Sequence, residues 1–311
     1  MPPPRRILVT GGGGFVGRHL CAALAAAYPE AAVLTPSVDV RDPAAVASMV
    51  RSTIPEVCIH LAAVSTIAAA QSGETEAWQV NLHGSLHLAR AILHYAPRCQ
   101  MLFASSADAY GGSVGSPLAI VEDAALAPTN VYAATKAAAD LALGSMANEG
   151  LRVVRLRPFN HTGPGQSADF VVPAFARQIS RIAAHLQAPL LKVGNLDTYR
   201  DFLDVRDVCA AYVASIDRRD ALAPGTILNV GSGQARRIGD VLDALMAMAG
   251  VAVEVHSDPS RARANDIEFA YADIERARSL IEWQPTIPWS DTLGDVLADW
   301  QRRVAINSGE A

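Results

Sequence analysis

Residues 6–27 read RILVTGGGGFVGRHLCAALAAA: a short apolar run, four consecutive glycines, then apolar residues at helical spacing. A strand that ends in glycines and passes straight into a helix leaves little choice of local fold. The chain must turn tightly, and the first backbone N–H groups of the helix stay open to whatever approaches. Gly11, Gly14 and Gly17 stand at GxxGxxG spacing. That spacing suits a dinucleotide pyrophosphate lying against the turn. A merely tight turn is the plainer account, but the strand before and the helix after favour the dinucleotide. Candidate contacts here are Gly11, Gly14, Phe15, Val16, Gly17 and Arg18, the arginine being close enough to assist a phosphate.

The alternation continues along the chain. "AAVLT" (31–35), "EVCIHLAA" (56–63), "QMLFASS" (100–106) and "LRVVRLRP" (151–158) are continuous apolar runs, with helical patterns around 82–95 and 132–149. Such runs belong to parallel strands buried on both faces. "TILNVGSG" (226–233) reads as a strand returning to the sheet. The expected fold is α/β, a Rossmann-type doubly wound parallel sheet with a smaller C-terminal α/β substrate-binding part. Residues 1–165 with 205–232 are expected to bind the dinucleotide, and 166–204 with 233–311 the substrate.

Half of the 311 residues are hydrophobic, so a sizeable core is expected. The net charge of −5 has no basic stripe within it, which argues against nucleic acid as a partner. Cys21, Cys58, Cys99 and Cys209 are scattered and read as reduced thiols of a cytoplasmic protein. The start, "MPPPRRILVT", lacks a signal-peptide apolar region, and no apolar run approaches the ~20 residues that span a bilayer. A soluble protein with no membrane partner is expected.

The cofactor is read from the end of the second strand. An acid there accepts hydrogen bonds from the 2′-OH of NAD, and its absence leaves room for the NADP phosphate. "LTPS" (34–37) is neutral, which favours NADP(H) and leaves NAD(H) open. Asp39 and Val40, in "VDVRD", are better placed to touch the adenine.

A second constellation lies downstream. Tyr132 and Lys136, in "YAATK", share one helix face. An ammonium beside a phenol is expected to lower a phenol pKa that is ordinarily about 10. Ser106, at the end of a strand, is placed to hydrogen-bond a substrate oxygen. Together they make a proton donor or acceptor beside a carbonyl, with a nicotinamide to supply or take hydride. A lone YxxxK is usually an ordinary surface pair; the glycine loop and strand-end serines upstream tip the balance.

"TGGGGFVG", "HLAA" (60–63), Asn81 in "VNLHG", "SSADAYG", "YAATK" and "RPFN" together resemble the extended short-chain dehydrogenase/reductase superfamily, from residue 6 to about 300. The resemblance implies a catalytic triad of Ser106, Tyr132 and Lys136. It implies that Leu61, Ala62 and Ala63 line the cofactor, that Asn81 supports it, and that Pro158 lies near the nicotinamide. "RPFNHTGPGQ" (157–166), "FVVPAFARQI" (170–179) and "VGNLDTYRDFLDVRDV" (193–208) resemble the GDP-4-dehydro-6-deoxy-D-mannose reductases in particular. These reduce a GDP-linked 4-keto-6-deoxy sugar to GDP-D-rhamnose. The implied substrate contacts are Ser106 and Asp108, Asn160 at the diphosphate, Arg200 and Arg263 on the phosphates, and Gln178 toward the base. Helices of this superfamily at 82–95 and 132–149 often form a dimer interface, so a homodimer is expected.

Two other readings stand beside the reductase. A 4,6-dehydratase or 4-epimerase shares the architecture, but a dehydratase needs further acid/base groups, and Asp108 is followed by Ala109 where a second acid commonly stands. Those enzymes also recycle a tightly held NAD, against which "LTPS" speaks. A dinucleotide sensor without turnover typically loses the Tyr or the Lys, and both are here. His83 and His87 have metal-like i, i+4 spacing but no third ligand nearby, so a helix face is the better account. His161 reads as a loop-stabilising group, and Asp204, Arg206 and Asp207 as an ion-paired structural network.

Overall fold

The computed structural model describes residues 2–114, 117–258 and 267–308. Its strands are β1 (Arg6–Thr10), β2 (Ala32–Leu34), β3 (Val57–His60), β4 (Gln100–Ala104), β5 (Val153–Pro158), β6 (Asn160–Thr162), β7 (Leu190–Val193), β8 (Tyr199–Asp204), β9 (Thr226–Val230), β10 (Ala235–Arg237), β11 (Glu254–Ser257) and β12 (Phe269–Ala270). Its α-helices are α1 (Phe15–Ala27), α2 (Pro43–Thr53), α3 (Ile67–Ser72), α4 (Glu74–Trp78), α5 (Ser85–Tyr95), α6 (Val131–Met146), α7 (Val171–Ala183), α8 (Val205–Asp217), α9 (Ile238–Ala249), α10 (Glu275–Ile281) and α11 (Trp289–Ser308).

Six strands form an all-parallel sheet in the order β2-β1-β3-β4-β5-β9. All four residues of β3 are buried, as a strand covered by helices on both faces requires. One face packs on α1 and α8 through Leu20, Leu24, Val208 and Tyr212. The other packs on α2, α5 and α6 through Val46, Leu88 and Leu143. The expected doubly wound sheet is therefore present, with 226–230 as its last strand.

β1 has β2 on one side and β3 on the other, so the chain reverses direction across the sheet there. In open α/β sheets that crevice, at the carboxyl ends of the strands, is where ligands bind. It is also where β1 runs into the glycines.

A second core, built from Val172, Phe175, Ile179, Leu242 and Val296, joins α7, α9 and α11 to Phe202 of β8. Here β8 pairs with β10, β12 and β6, and β7 pairs with β11. No described helix is long and apolar enough to cross a membrane.

Candidate active site

At the crevice the backbone geometry demands glycine twice. Gly11 has φ +73°, and a Cβ there would lie 2.7 Å from the Ala62 nitrogen. A Cβ on Gly17 would lie 2.4 Å from the Gly11 carbonyl oxygen. These contacts bring the glycine turn against Leu61 and Ala62, joining two stretches 50 residues apart in sequence. α1 begins at Phe15 after Gly14, with no side-chain cap and no acid in its first turn. Its N–H groups and its dipole are thus available to an anion. Arg18 donates to the Gly13 carbonyl (2.7 Å) and the Gly165 carbonyl (3.4 Å). Its guanidinium sits at the turn, where it fastens a distant loop.

β2 ends without an acid, and the Thr35 side chain closes over Gly12. Asp39, further on, is bound by both its oxygens to Arg41; hydrogen bonds from Arg41 hold its carboxyl down to about 2. Val40 turns its side chain into the core, and its carbonyl accepts from His87 Nδ1 (3.0 Å). That bond is what His87 is used for.

Asn81 lies in a π-helical turn, Gln79–Gly84, ahead of α5. Its side chain accepts from Val64 N–H (2.8 Å) and donates to the Val64 carbonyl and to Thr135. It therefore clamps the segment after Ala63 to α6 at Thr135. Beneath it runs a chain of hydrogen bonds that sequence reading missed. Thr10 donates to His60 Nδ1 (2.6 Å), His60 Nε2 to Ser85 (3.0 Å), and Ser85 to the Asn81 carbonyl (2.6 Å). Burial, with the Lys136 charge adding to it, draws His60 down to about 3. The ring is neutral and the chain fully satisfied.

α6 starts at Asn130, whose side chain caps Ala133 N–H. The cap sets Tyr132 beside Ser106, whose hydroxyl acts on the phenol. Ser106 in turn accepts from Asp108 N–H at the start of a short 3₁₀ turn, Ala107–Ser113. Tyr132 and Ser106 are thus brought together, but the phenol differs from expectation. Burial pushes Tyr132 above its ordinary value, the Asp108 carboxylate adds to this, and the Ser106 bond opposes it. The Lys136 ammonium is held elsewhere, on the Ala104 carbonyl (2.7 Å) and over the Phe103 ring. Burial draws Lys136 down to about 8, against the pull of Asp140.

Asp140, one turn beyond Lys136, is fully buried. It takes two bonds from Arg157 (2.8 and 3.0 Å), one from Arg155 (2.9 Å) and one from Ser105 (2.6 Å). Arg157 also donates to Tyr110 and to the Glu122 carbonyl. Tyr110 donates to Asn229 of β9 (2.7 Å). The strand-end arginines of "RLRPFN" therefore brace α6 from behind.

Pro158 ends β5, and Asn160, in β6, is exposed. The loop beyond is pinned from two sides. His161 lies parallel to Phe15 and donates from Nδ1 to the Phe159 carbonyl; His19 donates to the Pro164 carbonyl (2.8 Å). From α11, Asp299 accepts from Gly165 N–H (2.9 Å), and Arg303 donates to the Gln166 carbonyl (3.2 Å). His161 is a loop-stabilising group.

Gln178 lines a cavity of about 410 Å³ between α7 and β7, with Arg177, Arg181 and Lys192. Its amide bonds to both main-chain groups of Lys192. Arg200 donates to the Tyr199 and Ile267 carbonyls. Arg263 lies outside the described residues. Asp204 pairs with Arg206 and accepts from Thr292, while Asp207 accepts from Thr286 and Ile287 N–H groups. Asp204 and Arg206 are ion-paired as expected, whereas Asp207 holds backbone N–H groups in place of an arginine.

A dinucleotide crevice at the switch of a parallel sheet, with a Tyr–Ser pair and a buried lysine beside it, defines a nicotinamide-dependent enzyme that works on a carbonyl or alcohol. The chain belongs to the NAD dependent epimerase/dehydratase family, which it matches over residues 7–231. It is 38% identical over 303 residues, 96% of this chain and 98% of the relative, to GDP-6-deoxy-D-mannose reductase from Pseudomonas aeruginosa. It is 26% identical, over 89% of this chain and 91% of the relative, to GDP-6-deoxy-D-talose 4-dehydrogenase from Aggregatibacter actinomycetemcomitans. The structure of RMD from Pseudomonas aeruginosa complexed with NADPH superposes with a TM-score of 0.88 at 35% identity, covering 96% of this chain and 99% of that one.

Proposed function

We propose that this chain is an NADP(H)-dependent reductase that converts the 4-keto group of GDP-4-dehydro-6-deoxy-D-mannose to the alcohol, giving GDP-D-rhamnose. The observation that carries the reading is the Tyr132–Ser106 pair, with the phenol kept protonated. A reduction needs an acid at the carbonyl oxygen, and a protonated phenol is one. The likeness to the Pseudomonas aeruginosa reductase supports the substrate, and its NADPH complex together with the acid-free end of β2 supports the cofactor.

The cradle around Gly11 and Gly17, where a Cβ has no room, fits a pyrophosphate held by the N–H groups of α1. Gly14, Phe15, Val16 and Arg18 would hold its phosphates, Asp39 and Val40 its adenine end, and Leu61, Ala62, Ala63, Asn81 and Pro158 its nicotinamide side. When bound, the dihydronicotinamide supplies the hydride taken up at C4 of the sugar. Ser106 orients the carbonyl, and Tyr132 gives its phenolic proton to the developing alkoxide. Lys136, anchored on the Ala104 carbonyl, supplies a positive charge to the site, and Asp140 opposes the burial that draws that charge off. Asp108 and Asn160 face the sugar and diphosphate, Arg200 and Arg263 pair with phosphate, and Gln178 borders the base. Residues 1–165 with 205–232 form the cofactor half on this reading, and 166–204 with 233–311 the sugar-nucleotide half.

The test follows loss of reduced-nicotinamide absorbance when the purified protein meets GDP-4-keto-6-deoxymannose. Oxidation of NADPH faster than NADH, with little response to a dTDP-linked keto-sugar, is the expected result. NMR of the product then separates the rhamno from the talo alcohol. Consumption of GDP-mannose without a helper enzyme would move the chain to the dehydratases.

The same reading takes a cytoplasmic homodimer as the working form. Leu141, 60% exposed on α6, supports a helical interface, and four free thiols support a reducing compartment. Light scattering should give twice 32.8 kDa; a single-chain mass at working concentration would refute the dimer.

A further inference from the structure

We propose that Arg236 is a second guanidinium of the sugar-nucleotide site, closing with Arg200 on the substrate's diphosphate; this rests on the reading above that the chain binds a nucleoside-diphosphate sugar. Arg236 of β10 stands directly opposite Arg200 of β8 in an antiparallel pair. Directly opposed residues project from the same face with Cβ atoms about 5 Å apart, and like charges so placed repel. An anion between them reverses the sign of that interaction.

The face they share carries Asn160, which the reading above assigns to the diphosphate, and the second core packs against it at Phe202. Phe202, two residues beyond Arg200, points the same way, and Asn160 of β6 is its partner in register. Trp289 stacks on Phe202 with centroids 5.7 Å apart, and the Arg236 guanidinium lies on Trp289 at 5.1 Å. The arginine is therefore braced in place.

It is also short of acceptors. Its Nε is buried without a hydrogen-bond partner, and among the described residues no carboxylate lies within ion-pair range of it. Arg237, one position on and facing the other way, is paired to both Asp197 and Asp240. The carboxylate whose charge acts on Arg236 is that of Asp201, which is committed to Ser232, Gly233 and Ala272. A half-buried guanidinium without acceptors is costly unless something supplies them. Phosphate oxygens match its planar fork. The plainer account is that Arg236 only covers Trp289, in which case its loss would lower stability and leave nucleotide affinity alone.

Calorimetric titration of GDP and GMP into the wild type, Arg236→Met and Arg236→Lys separates the two. Methionine keeps a flexible apolar cover on Trp289. The expected result is a GDP Kd raised roughly 10- to 100-fold in Arg236→Met, the size of one charge-assisted pair. GMP should lose less, NADPH affinity should hold, and Arg236→Lys should fall between, because a point charge cannot bridge two oxygens as a fork does. If Arg236→Met fails to fold, Arg236→Lys alone decides, with a threefold or greater loss expected. GDP affinity within twofold of wild type in the folded variant overturns the clamp while leaving the reductase reading intact. A wild type that binds UDP in place of GDP overturns the guanine assignment, and the clamp is then judged on UDP by the same criterion. A wild type that binds no nucleoside diphosphate overturns both.

Discussion

Tyr132→Phe should bind NADPH with unchanged affinity and lose roughly 10²- to 10⁴-fold in kcat, the usual contribution of a positioned general acid. The change removes one oxygen from a side chain that α6 and its Asn130 cap already hold in place, so the fold has no reason to move. The pH profile carries a second part of the same expectation. Burial and Asp108 keep the phenol protonated above its ordinary value, so Tyr132 remains an acid across the working range. Lys136, drawn down to about 8, is the group that titrates within it. For the free enzyme kcat/KM should therefore be level below pH 8 and fall as the ammonium is lost above it. Lys136→Met should have low activity and no such limb. Stopped-flow reduction across pH 6–10 reads both, and a Tyr132→Phe enzyme within threefold of wild type would sink the assignment.

Asp140→Ala should be the most destabilising single change near the site. It leaves Arg157 and Arg155, held at 2.8 and 2.9 Å from the lost carboxylate, without a counter-charge. Removing one partner of a buried ion pair costs about 3–5 kcal/mol, which for a chain of this size lowers Tm by roughly 10 °C. Burial by itself would raise the Asp140 pKa, but hydrogen bonds and charge from Arg157, with Ser105 and Arg155 adding, leave it below the ordinary carboxylate value. The native state thus holds this group ionised more strongly than the unfolded chain does. Its contribution is fully present above the ordinary carboxylate pKa and is lost as pH falls through the depressed one. Thermal unfolding of wild type and variant at pH 7 checks the first claim; a Tm difference under 2 °C would show that the arginines find other partners.

What the sequence disclosed and what it hid follow from how far apart the partners lie. The glycine turn is legible because strand, turn and helix are consecutive, and Tyr132 and Lys136 because a helix repeats every 3.6 residues. Asp140 continues that spacing, yet its partners Arg155 and Arg157 arrive only when β5 pairs with β4. Arg18 sits near the glycines in sequence, which suggested a phosphate; the folded chain also gives it the carbonyl of Gly165, 147 residues away. The state of the Tyr132 phenol is hidden from the sequence for a related reason. Sequence places Lys136 one turn away, but the ammonium's nearest partner is the Ala104 carbonyl, and the charge felt by the phenol is that of Asp108. Arg236 had no signal at all, since only strand register sets it opposite Arg200.

The loop at 163–166 is fastened on one side by Arg18 and His19, near the start of the chain, and on the other by Asp299 and Arg303, near its end. During synthesis the first two anchors exist long before the last two. The cofactor crevice can be assembled while the loop beside it is still tethered at one edge. The site is complete only when the last helix has been made and docked, so a chain cut short before residue 299 would keep its glycine turn and triad yet lack the outer hold on the loop between them and the sugar.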